Sequence, residues 1–181
     1  ALQQVGPDIR QSVTAIGVSG QQHGFVPIDR AGRPLIPVKL WCDTSTGAEC
    51  DRLTEQFGGA SACLTELGNP ILPGYTASKV LWFRNQHPER YAQMDCILLP
   101  HDYLNFYLTG VKTMEAGDAS GTGFLDIRER QWSEKMLRII DPEQDLRERL
   151  PRVETSPTVI GSLLPDIARE LGMPAGTPVA S

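Results

Sequence analysis

The chain has 181 residues, of which 40% are hydrophobic and 22% are charged, values typical of one globular domain with a core. Its net charge of −5, with basic residues scattered among acidic ones, argues against a nucleic-acid or anionic-membrane partner, because both require clustered Lys and Arg. No stretch reaches the roughly 18 consecutive apolar residues of a membrane span, so no membrane association is predicted.

Short apolar runs that end at turn residues predict a series of β-strands. In chain order, the predicted strands cover residues 13–19, 25–28, 38–42, 96–99, 159–163 and 178–181. The first is predicted to be buried, and Pro27 within the second suits an edge strand. The stretch 112–127 is rich in Gly, Ser and Thr, which predicts further strands and turns.

Capping residues, glycines and prolines delimit the predicted helices that alternate with these strands. In chain order, the predicted helices cover residues 47–57, 62–67, 76–86, 89–94, 102–108, 134–140, 142–150 and 165–171. Thr46 and Glu49 have the spacing of a capping box, and Ser133 is a predicted N-cap. The alternation indicates an α/β or α+β fold, and because no strong linker divides the chain, we predict one domain or a piece of one.

Three segments, SGQQHG at 19–24, LWCD at 40–43 and GYTASKVLWFRNQ at 74–86, carry a resemblance to a known family. They resemble the FGGY carbohydrate kinases, and within that family they are most similar to the xylulokinases. The segment 74–86, GYTASKVLWFRNQ, fits the family signature of a small or aromatic residue, Ser/Thr/Pro, Lys, an apolar residue, Trp and a polar pair. The segment 19–24, SGQQHG, is similar to the xylulokinase sugar-site loop, and 40–43, LWCD, is similar to a strand end with Trp and Asp. Order and spacing also match at 99–104 and 117–122, so the resemblance covers nearly the whole chain.

The resemblance implies part of an actin-like, ribonuclease-H-like ATPase domain, the sugar-binding N-terminal domain of FGGY kinases. In this family the first domain binds mainly the sugar, and the second binds mainly ATP. Residues 1–181 are expected to be part of the N-terminal domain, without its opening phosphate-loop strand and without the C-terminal ATP-binding domain. The family's catalytic base, an Asp in a Gly-Gly-Gly-Asp segment, is expected just after Ser181, so no catalytic residue is predicted within this chain.

The loop at residues 20–24 is the first candidate for sugar binding. A short predicted strand leads into it, and Gly20 and Gly24 let its backbone approach a ligand closely. Gln22 and His23 offer donors and acceptors for the hydroxyl groups of a ketose. The alternative is a turn in which His23 only bonds a backbone carbonyl, and the resemblance favours the sugar contact.

Further candidate sugar contacts are Trp41, Asp43 and Tyr75. Trp41 and Asp43 follow a predicted strand and could wall the cleft, since sugars stack their C–H faces on aromatic rings; the alternative is a core Trp and a helix-capping Asp. Tyr75 could reach the cleft or pack at a helix entry. Lys79 and Trp82 share a helix face, and we expect Lys79 to be a structural lysine and not a phosphate ligand.

The glycine-rich stretch 117–123 invites another interpretation, because an Asp with Ser and Thr among glycines can form a phosphate cradle or a nucleophile site. It lacks the GxxxxGK[ST] spacing of a Walker loop and the G-x-S-x-G of hydrolases. We expect a structural turn that borders the cleft, with a hydrolase centred on Asp118 and Ser120 as the alternative. The four cysteines form no CxxC pair and are not spaced with the histidines as zinc ligands, so no metal site is predicted and reduced thiols are expected.

The resemblance implies that the parent protein transfers a phosphoryl group from Mg-ATP to a sugar hydroxyl, converting D-xylulose to D-xylulose 5-phosphate. ATP and Mg²⁺ would be bound mainly outside this chain, and the 181-residue piece alone is expected to be inactive. A ribulose, gluconate or glycerol kinase, or a non-catalytic sugar-binding module, remains an alternative, although glycerol kinases usually carry Arg-Glu in place of Gln22 and His23. The expected partner is a small-molecule sugar, the expected location is the cytoplasm, and homodimerisation of the parent protein is left open.

Overall fold

The computed structural model describes residues 4–181, in which helices and strands alternate along the chain. The helices are α1 (Pro7–Gln11), α2 (Gly47–Phe57), α3 (Ala60–Glu66), α4 (Thr76–Gln86), α5 (Pro88–Ala92), α6 (Pro100–Thr109), α7 (Ala116–Ser120), α8 (Glu134–Ile140) and α9 (Pro165–Leu171), with a 3-10 helix at Leu146–Arg149. The strands are β1 (Ile16–Gly17), β2 (Val26–Ile28), β3 (Cys96–Leu98), β4 (Thr113–Glu115), β5 (Leu125–Asp126), β6 (Gln131–Trp132), β7 (Arg152–Glu154), β8 (Val159–Ser162) and β9 (Pro178–Ala180). Among these helices, none combines the length and the apolar character needed to cross a bilayer.

The two ends of the described chain meet in one sheet. Strand β9 lies at the centre of a three-stranded sheet, parallel to β1 and antiparallel to β8. Ile16 is opposite Val179, and because parallel strands run in the same direction, the loop after β1 and the residue after β9 lie at the same end of the sheet. The remaining strands form the pairs β2-β3, β4-β7 and β5-β6.

The hydrophobic core forms where α2, α4 and α8 pack together beside the β2-β3 pair. Its largest fully buried side chains include Phe25, Phe57, Phe83 and Phe124. Helix α4 is buried on most of its surface, including its polar residues Ser78 and Lys79. Buried polar groups need hydrogen-bond partners, and the surrounding loops supply them.

Most predicted elements are confirmed, and the bounds of α4 and α9 agree to the residue. Glycines in the left-handed conformation end α2, α6 and α9, as the predicted stop signals require. Ser133 caps α8, since its side chain accepts a hydrogen bond from the Met136 N–H. The alternation of helices and strands confirms the predicted mixed α/β architecture.

The prediction of a strand at 38–42 is wrong. In this segment Lys39 alone makes a bridge, to Phe25, and the chain then turns away from the sheet. The Leu40 carbonyl accepts hydrogen bonds from the Asp43 N–H and from a lysine side chain, so it is not available to a sheet ladder. The local apolar composition is that of a strand, but among the described residues the pairing with the chain before β2 is limited to this single bridge.

Two other strand predictions need correction. The segment 13–19 forms a strand only at β1, where Ile16 is half-buried and Gly17 is exposed, so the predicted burial is wrong. Within residues 4–181, β1 pairs only with β9, which leaves its other edge uncovered. The stretch 112–127 contains β4 and β5 as predicted, but between them lies helix α7, begun by Glu115, whose side chain accepts a hydrogen bond from the Asp118 N–H.

Two helical predictions also differ from the structure. Thr46 precedes α2, but the predicted capping box is wrong: its hydroxyl donates to the Pro73 carbonyl at 3.1 Å and lies 2.9 Å from Ser78 Oγ. The segment 142–150 contains only the 3-10 helix. The Asp141 carboxylate accepts hydrogen bonds from the two backbone N–H groups at positions 143 and 144, which forms a turn in place of a first helical turn.

Candidate functional site

The loop that follows β1 is held against the start of α6 by close backbone contacts. A Cβ at Gly20 would lie 2.8 Å from His101 Cβ, and one at Gly24 would lie 2.5 Å from Pro100 Cγ. Glycine is therefore needed at both positions for this approach. Between them, His23 has a φ of 62°, in the left-handed region that residues other than glycine rarely occupy.

An open cleft of about 580 Å³ lies between this loop, the start of α6, the β4–α7 junction and the end of β9. Its lining residues are Val18, Ser19, Gly20, Gln22, His101, Glu115, Asp118, Ser156 and Ser181. Most of these side chains can donate or accept hydrogen bonds. The lining therefore suits a small ligand rich in hydroxyl groups better than an apolar ligand.

Two side chains of opposite charge face each other in the cleft. His101 Nδ1 lies 3.2 Å from Asp118 Oδ2 and 3.6 Å from Asp102 Oδ1. Asp102 and Asp118 together raise the pKa of His101 to about 10, so its imidazole is charged at neutral pH. His101 in turn lowers the pKa of Asp118, with a further contribution from the side chain of Gln22. Asp118 is thus a stable anion that can accept hydrogen bonds from a ligand.

Buried polar groups behind His101 hold its ring in place. Asp102, with 1% exposure, accepts a hydrogen bond from the Leu99 N–H at 2.9 Å. Asn105 Nδ2 lies 3.3 Å from His101 Nε2. A charged imidazole donates from both nitrogens, so it is best satisfied when the Asn105 amide turns its oxygen toward the ring. That amide oxygen is buried and has no other partner in residues 4–181.

His23 is oriented by a backbone carbonyl and an aromatic ring. Its Nδ1 lies 2.7 Å from the Gly121 oxygen, and its ring centroid lies 4.5 Å from that of Tyr75. Burial lowers the pKa of His23, so the neutral ring donates from Nδ1 to Gly121 and presents Nε2 as an acceptor. The predicted alternative, a bond to a backbone carbonyl, holds for one ring nitrogen. The other makes no hydrogen bond within the part of the chain that the structure describes.

Lys79 ties the backbone of the His23 loop to two other loops. It is fully buried, and its Nζ lies 2.9 Å from the His23 oxygen, 2.9 Å from the Leu40 oxygen and 2.6 Å from the Gly74 oxygen. These contacts agree with the predicted structural role, since the ammonium meets carbonyl oxygens from three loops and not an anion.

Of the predicted sugar contacts, only Gln22 belongs to the lining of the cleft; His23, Trp41, Asp43 and Tyr75 lie outside it. Trp41 is 56% exposed, which shows that its alternative placement in the core is wrong. Its carbonyl lies so close to Gly74 that a Cβ there would be 2.7 Å away. Asp43 pairs with Lys39 at 2.7 Å and accepts hydrogen bonds from the Ser45 hydroxyl and N–H, and these partners hold the pKa of Asp43 well below its usual range.

The structure brings Gln22 next to His101 and Asp118, two residues that are not among the predicted sugar contacts. The stretch that contains Asp118 does border the cleft, as expected, but as helix α7 and not as a simple turn. No local sequence signal pairs His101 with Asp118, because they lie on different helices separated by β4. The burial of a helix-start histidine beside a glycine-rich acidic segment is visible only after folding.

The geometry around Ser120 does not support the hydrolase alternative. Ser120 Oγ donates a hydrogen bond to the Gly117 oxygen at 2.6 Å, and His101 faces Asp118. A nucleophilic serine would need a base within hydrogen-bond reach. Across residues 4–181, no three His, Cys, Asp or Glu side chains are arranged to hold a metal ion.

Comparison with known proteins adds an independent observation. Residues 1–181 match the family model described as the N-terminal domain of the FGGY family of carbohydrate kinases. The xylulose kinase of Haemophilus influenzae is 46% identical over 160 residues, which cover 88% of this chain and 32% of that protein. The xylulose kinase of Escherichia coli is 39% identical over 171 residues, which cover 94% and 34%. This chain therefore spans about a third of the length of these relatives.

Solved structures share the fold. A xyloylose kinase from Brucella ovis superposes with a TM-score of 0.88 at 31% identity, covering 99% of this chain and 36% of that one. A gluconate kinase from Lactobacillus acidophilus superposes with a TM-score of 0.85 at 23% identity, covering 99% and 35%, a likeness of fold alone. The predicted fold, that of the N-terminal domain of this kinase family, is confirmed.

Proposed function

Since this chain belongs to the FGGY family of carbohydrate kinases, we propose that it binds the sugar for a kinase that converts D-xylulose to D-xylulose 5-phosphate. Relatives between 31% and 46% identical over most of the chain bear the name xylulose kinase. The observation that carries the proposal is the polar cleft in which Gln22, His101 and Asp118 converge. Placed hydrogen-bonding groups of this kind are what discriminates hydroxylated substrates.

The cleft residues have complementary hydrogen-bonding capacities. The Gln22 amide can both donate to and accept from sugar hydroxyls, whereas ionised Asp118 only accepts. Next to Gln22 in the chain, but outside the cleft lining, neutral His23 offers the acceptor Nε2 that its bond to Gly121 leaves free. A ketose with adjacent hydroxyl groups could therefore donate to Asp118 and His23 and exchange hydrogen bonds with Gln22.

Tyr75, Trp41 and Asp43 are proposed to act at the margin of the same site. Tyr75 stacks on His23 and so supports the ring that accepts from the sugar. Trp41 has an exposed face that suits stacking against sugar C–H groups. Asp43 is paired with Lys39, so its main proposed role is to hold the loop that carries Trp41, and contact with the sugar is a secondary role.

The proton acceptor is proposed to lie outside this chain, shortly after Ser181. A general base works best when its pKa is near the operating pH, and the ion pair with His101 moves the pKa of Asp118 away from that range. Ser181 lines the same cleft as Gln22 and Asp118, so a carboxylate a few residues further would be near a bound sugar.

ATP and Mg²⁺ are implied by the family, and both are proposed to be bound mainly outside this chain. The contribution of this chain is therefore proposed to be the binding and orientation of the sugar. Orientation alone is a substantial part of phosphoryl-transfer catalysis, which depends mainly on positioning and charge stabilisation. A cytoplasmic location and homodimerisation of the whole protein remain predictions.

The test is ADP release by the intact gene product with ATP and a panel of D-xylulose, D-ribulose, gluconate and glycerol. D-Xylulose should give the largest kcat/KM. Gln22→Ala should raise the KM for D-xylulose about tenfold to a hundredfold, the loss of one or two hydrogen bonds, and leave the KM for ATP unchanged.

The matched control is Gln56→Ala, on the exposed face of α2, which should behave as the wild type. If another sugar gives a larger kcat/KM, that sugar replaces D-xylulose as the proposed substrate, and the kinase proposal stands. Sugar binding without ADP release would instead support a non-catalytic binding module.

A further inference from the structure

The cage around the Lys79 ammonium is the most unusual polar arrangement in the described structure outside the cleft lining. The side chain is 0% exposed, and its three hydrogen bonds, at 2.6 to 2.9 Å, all go to backbone carbonyls. No carboxylate lies within salt-bridge distance of it among residues 4–181. An ammonium has three donors, so the three oxygens satisfy it completely.

Burying an ammonium without a paired anion is costly, so its retention needs an explanation. The three carbonyls belong to three loops that are distant in sequence, at His23, Leu40 and Gly74. Each carbonyl belongs to, or directly precedes, a proposed sugar contact: His23 itself, then Trp41 and Tyr75. One charged group thus fixes the backbone from which three proposed contacts project.

We propose that Lys79 is a positioning residue for the sugar, whose ammonium holds the His23, Trp41 and Tyr75 loops in one arrangement. The proposal rests on the sugar-kinase function proposed above. It differs from a merely structural role because it makes sugar affinity, and not only folding, depend on the charge at this position.

Two independent contacts support this assignment. The His23 carbonyl also accepts a hydrogen bond from Thr76 Oγ1 at 3.3 Å, which helps to hold a residue with positive φ. Gly74 approaches the Trp41 carbonyl so closely that a side chain there would clash with it. The three loops therefore touch one another, and a shift of any one would move the others.

The charge on Lys79 is sensitive to alkaline pH. Burial lowers the pKa of Lys79 to about 8, opposed by the nearby Asp43 and reinforced by Lys39, while Cys42 and Cys50 act in the same direction as Asp43. A neutral amine retains only two donors and turns a lone pair toward the third carbonyl. Deprotonation should therefore release one of the three loops.

The test is binding of D-xylulose to the intact gene product, measured by titration calorimetry for the wild type, Lys79→Met and Lys135→Met. Methionine fills a volume similar to that of lysine but carries no charge. Lys135 is the control because it is a partly exposed lysine that is paired with Glu66 and, within residues 4–181, contacts none of the three loops. Lys79→Met should weaken binding about tenfold, the value of one charge-assisted hydrogen bond, while Lys135→Met should bind as the wild type does. The folded fraction of each variant is checked by circular dichroism, because a merely structural role would reduce that fraction and leave the dissociation constant of the remainder unchanged.

A second measurement needs no substitution at Lys79. Sugar affinity of the wild type, measured from pH 7 to pH 9, should decrease with a midpoint near the pKa of about 8, and the decrease should be absent in Lys79→Met. If Lys79→Met does not fold, the wild-type profile decides alone.

The outcomes separate the two proposals. A wild type that binds no sugar and releases no ADP overturns the proposed function and, with it, the role of Lys79. A wild type that binds D-xylulose with an affinity independent of pH in this range, or a folded Lys79→Met that binds as tightly, overturns the role of Lys79 alone.

Discussion

His101 Nδ1 and Asp118 Oδ2 lie 3.2 Å apart in the cleft, joining the start of α6 to α7 across strand β4. The pair has two consequences. It keeps Asp118 ionised, so that this carboxylate accepts hydrogen bonds. It also gives the buried His101 imidazolium a carboxylate that is closer than Asp102, which lies 3.6 Å away. The first two predictions follow from this relationship.

Replacing Asp118 by Asn should raise the KM for D-xylulose about tenfold to a hundredfold in the intact gene product. Asparagine has nearly the same shape but carries no charge, so it accepts fewer hydrogen bonds and leaves His101 without its closer partner. Steady-state kinetics with varied sugar and saturating ATP would measure the change. Asp51→Asn, on the exposed face of α2, is the matched control. A KM at the wild-type value would remove Asp118 from the proposed site.

Replacing His101 by Gln should reduce the loss of folding stability that occurs between pH 6.5 and pH 10. The pKa of His101 is raised in the folded state from 6.5 to about 10, so its stabilising contribution is complete below pH 6.5 and is lost as pH rises toward 10. Gln keeps a polar group at the site but does not titrate.

The measurement is the thermal unfolding midpoint of the wild type and of His101→Gln across this pH range. Lys79, whose pKa is lowered, favours the folded state at the alkaline end of the same range. Because Lys79 is present in both proteins, the difference between their two profiles isolates His101. Parallel profiles would contradict the assigned charge state.

Adding one methyl group at Gly121 should displace His23. An Ala Cβ there would lie 2.2 Å from His23 Cε1, so the ring must move. Helix α7 ends at Gly121 with a negative φ that alanine tolerates, and the effect is therefore steric. We expect weaker D-xylulose binding in Gly121→Ala and a stability loss of about 1–3 kcal/mol, as for other overpacked sites. Gly47→Ala adds the same group into open space and serves as the control; equal sugar affinity in both variants would argue against His23 as a contact.

Removing the aromatic ring at position 75 tests whether its stacking on His23 contributes to sugar binding. The two rings lie 4.5 Å apart with their planes inclined by 30°, so Tyr75→Phe should keep this contact and Tyr75→Leu should lose it. We expect Tyr75→Phe to bind D-xylulose as the wild type does, and Tyr75→Leu to lose about 0.5–1.5 kcal/mol of binding free energy. Calorimetric titration of both variants measures this. A loss in Tyr75→Phe as large as in Tyr75→Leu would instead assign the hydroxyl a direct role.

Local sequence signals were enough to predict the helices whose ends are capped by their own neighbouring residues. Helix α8 begins at Ser133 because that hydroxyl accepts a neighbouring N–H, and helix α9 ends before a glycine that adopts the left-handed conformation. Where a side chain had a distant partner, the local signal failed. Thr46 has the spacing of a capping box, but its hydroxyl bonds to Pro73 and Ser78 across the fold.

The sequence by itself determined the family and the α/β class, and it predicted a loop at Gln22 and His23, because these depend on motifs and on residue types at short spacing. Tertiary structure alone decided that His101 faces Asp118, that Trp41 is exposed, and that one lysine holds three loops. The physical reason is that a buried charge or polar group is satisfied by whatever the fold brings near it, and those partners come from segments that no local pattern relates.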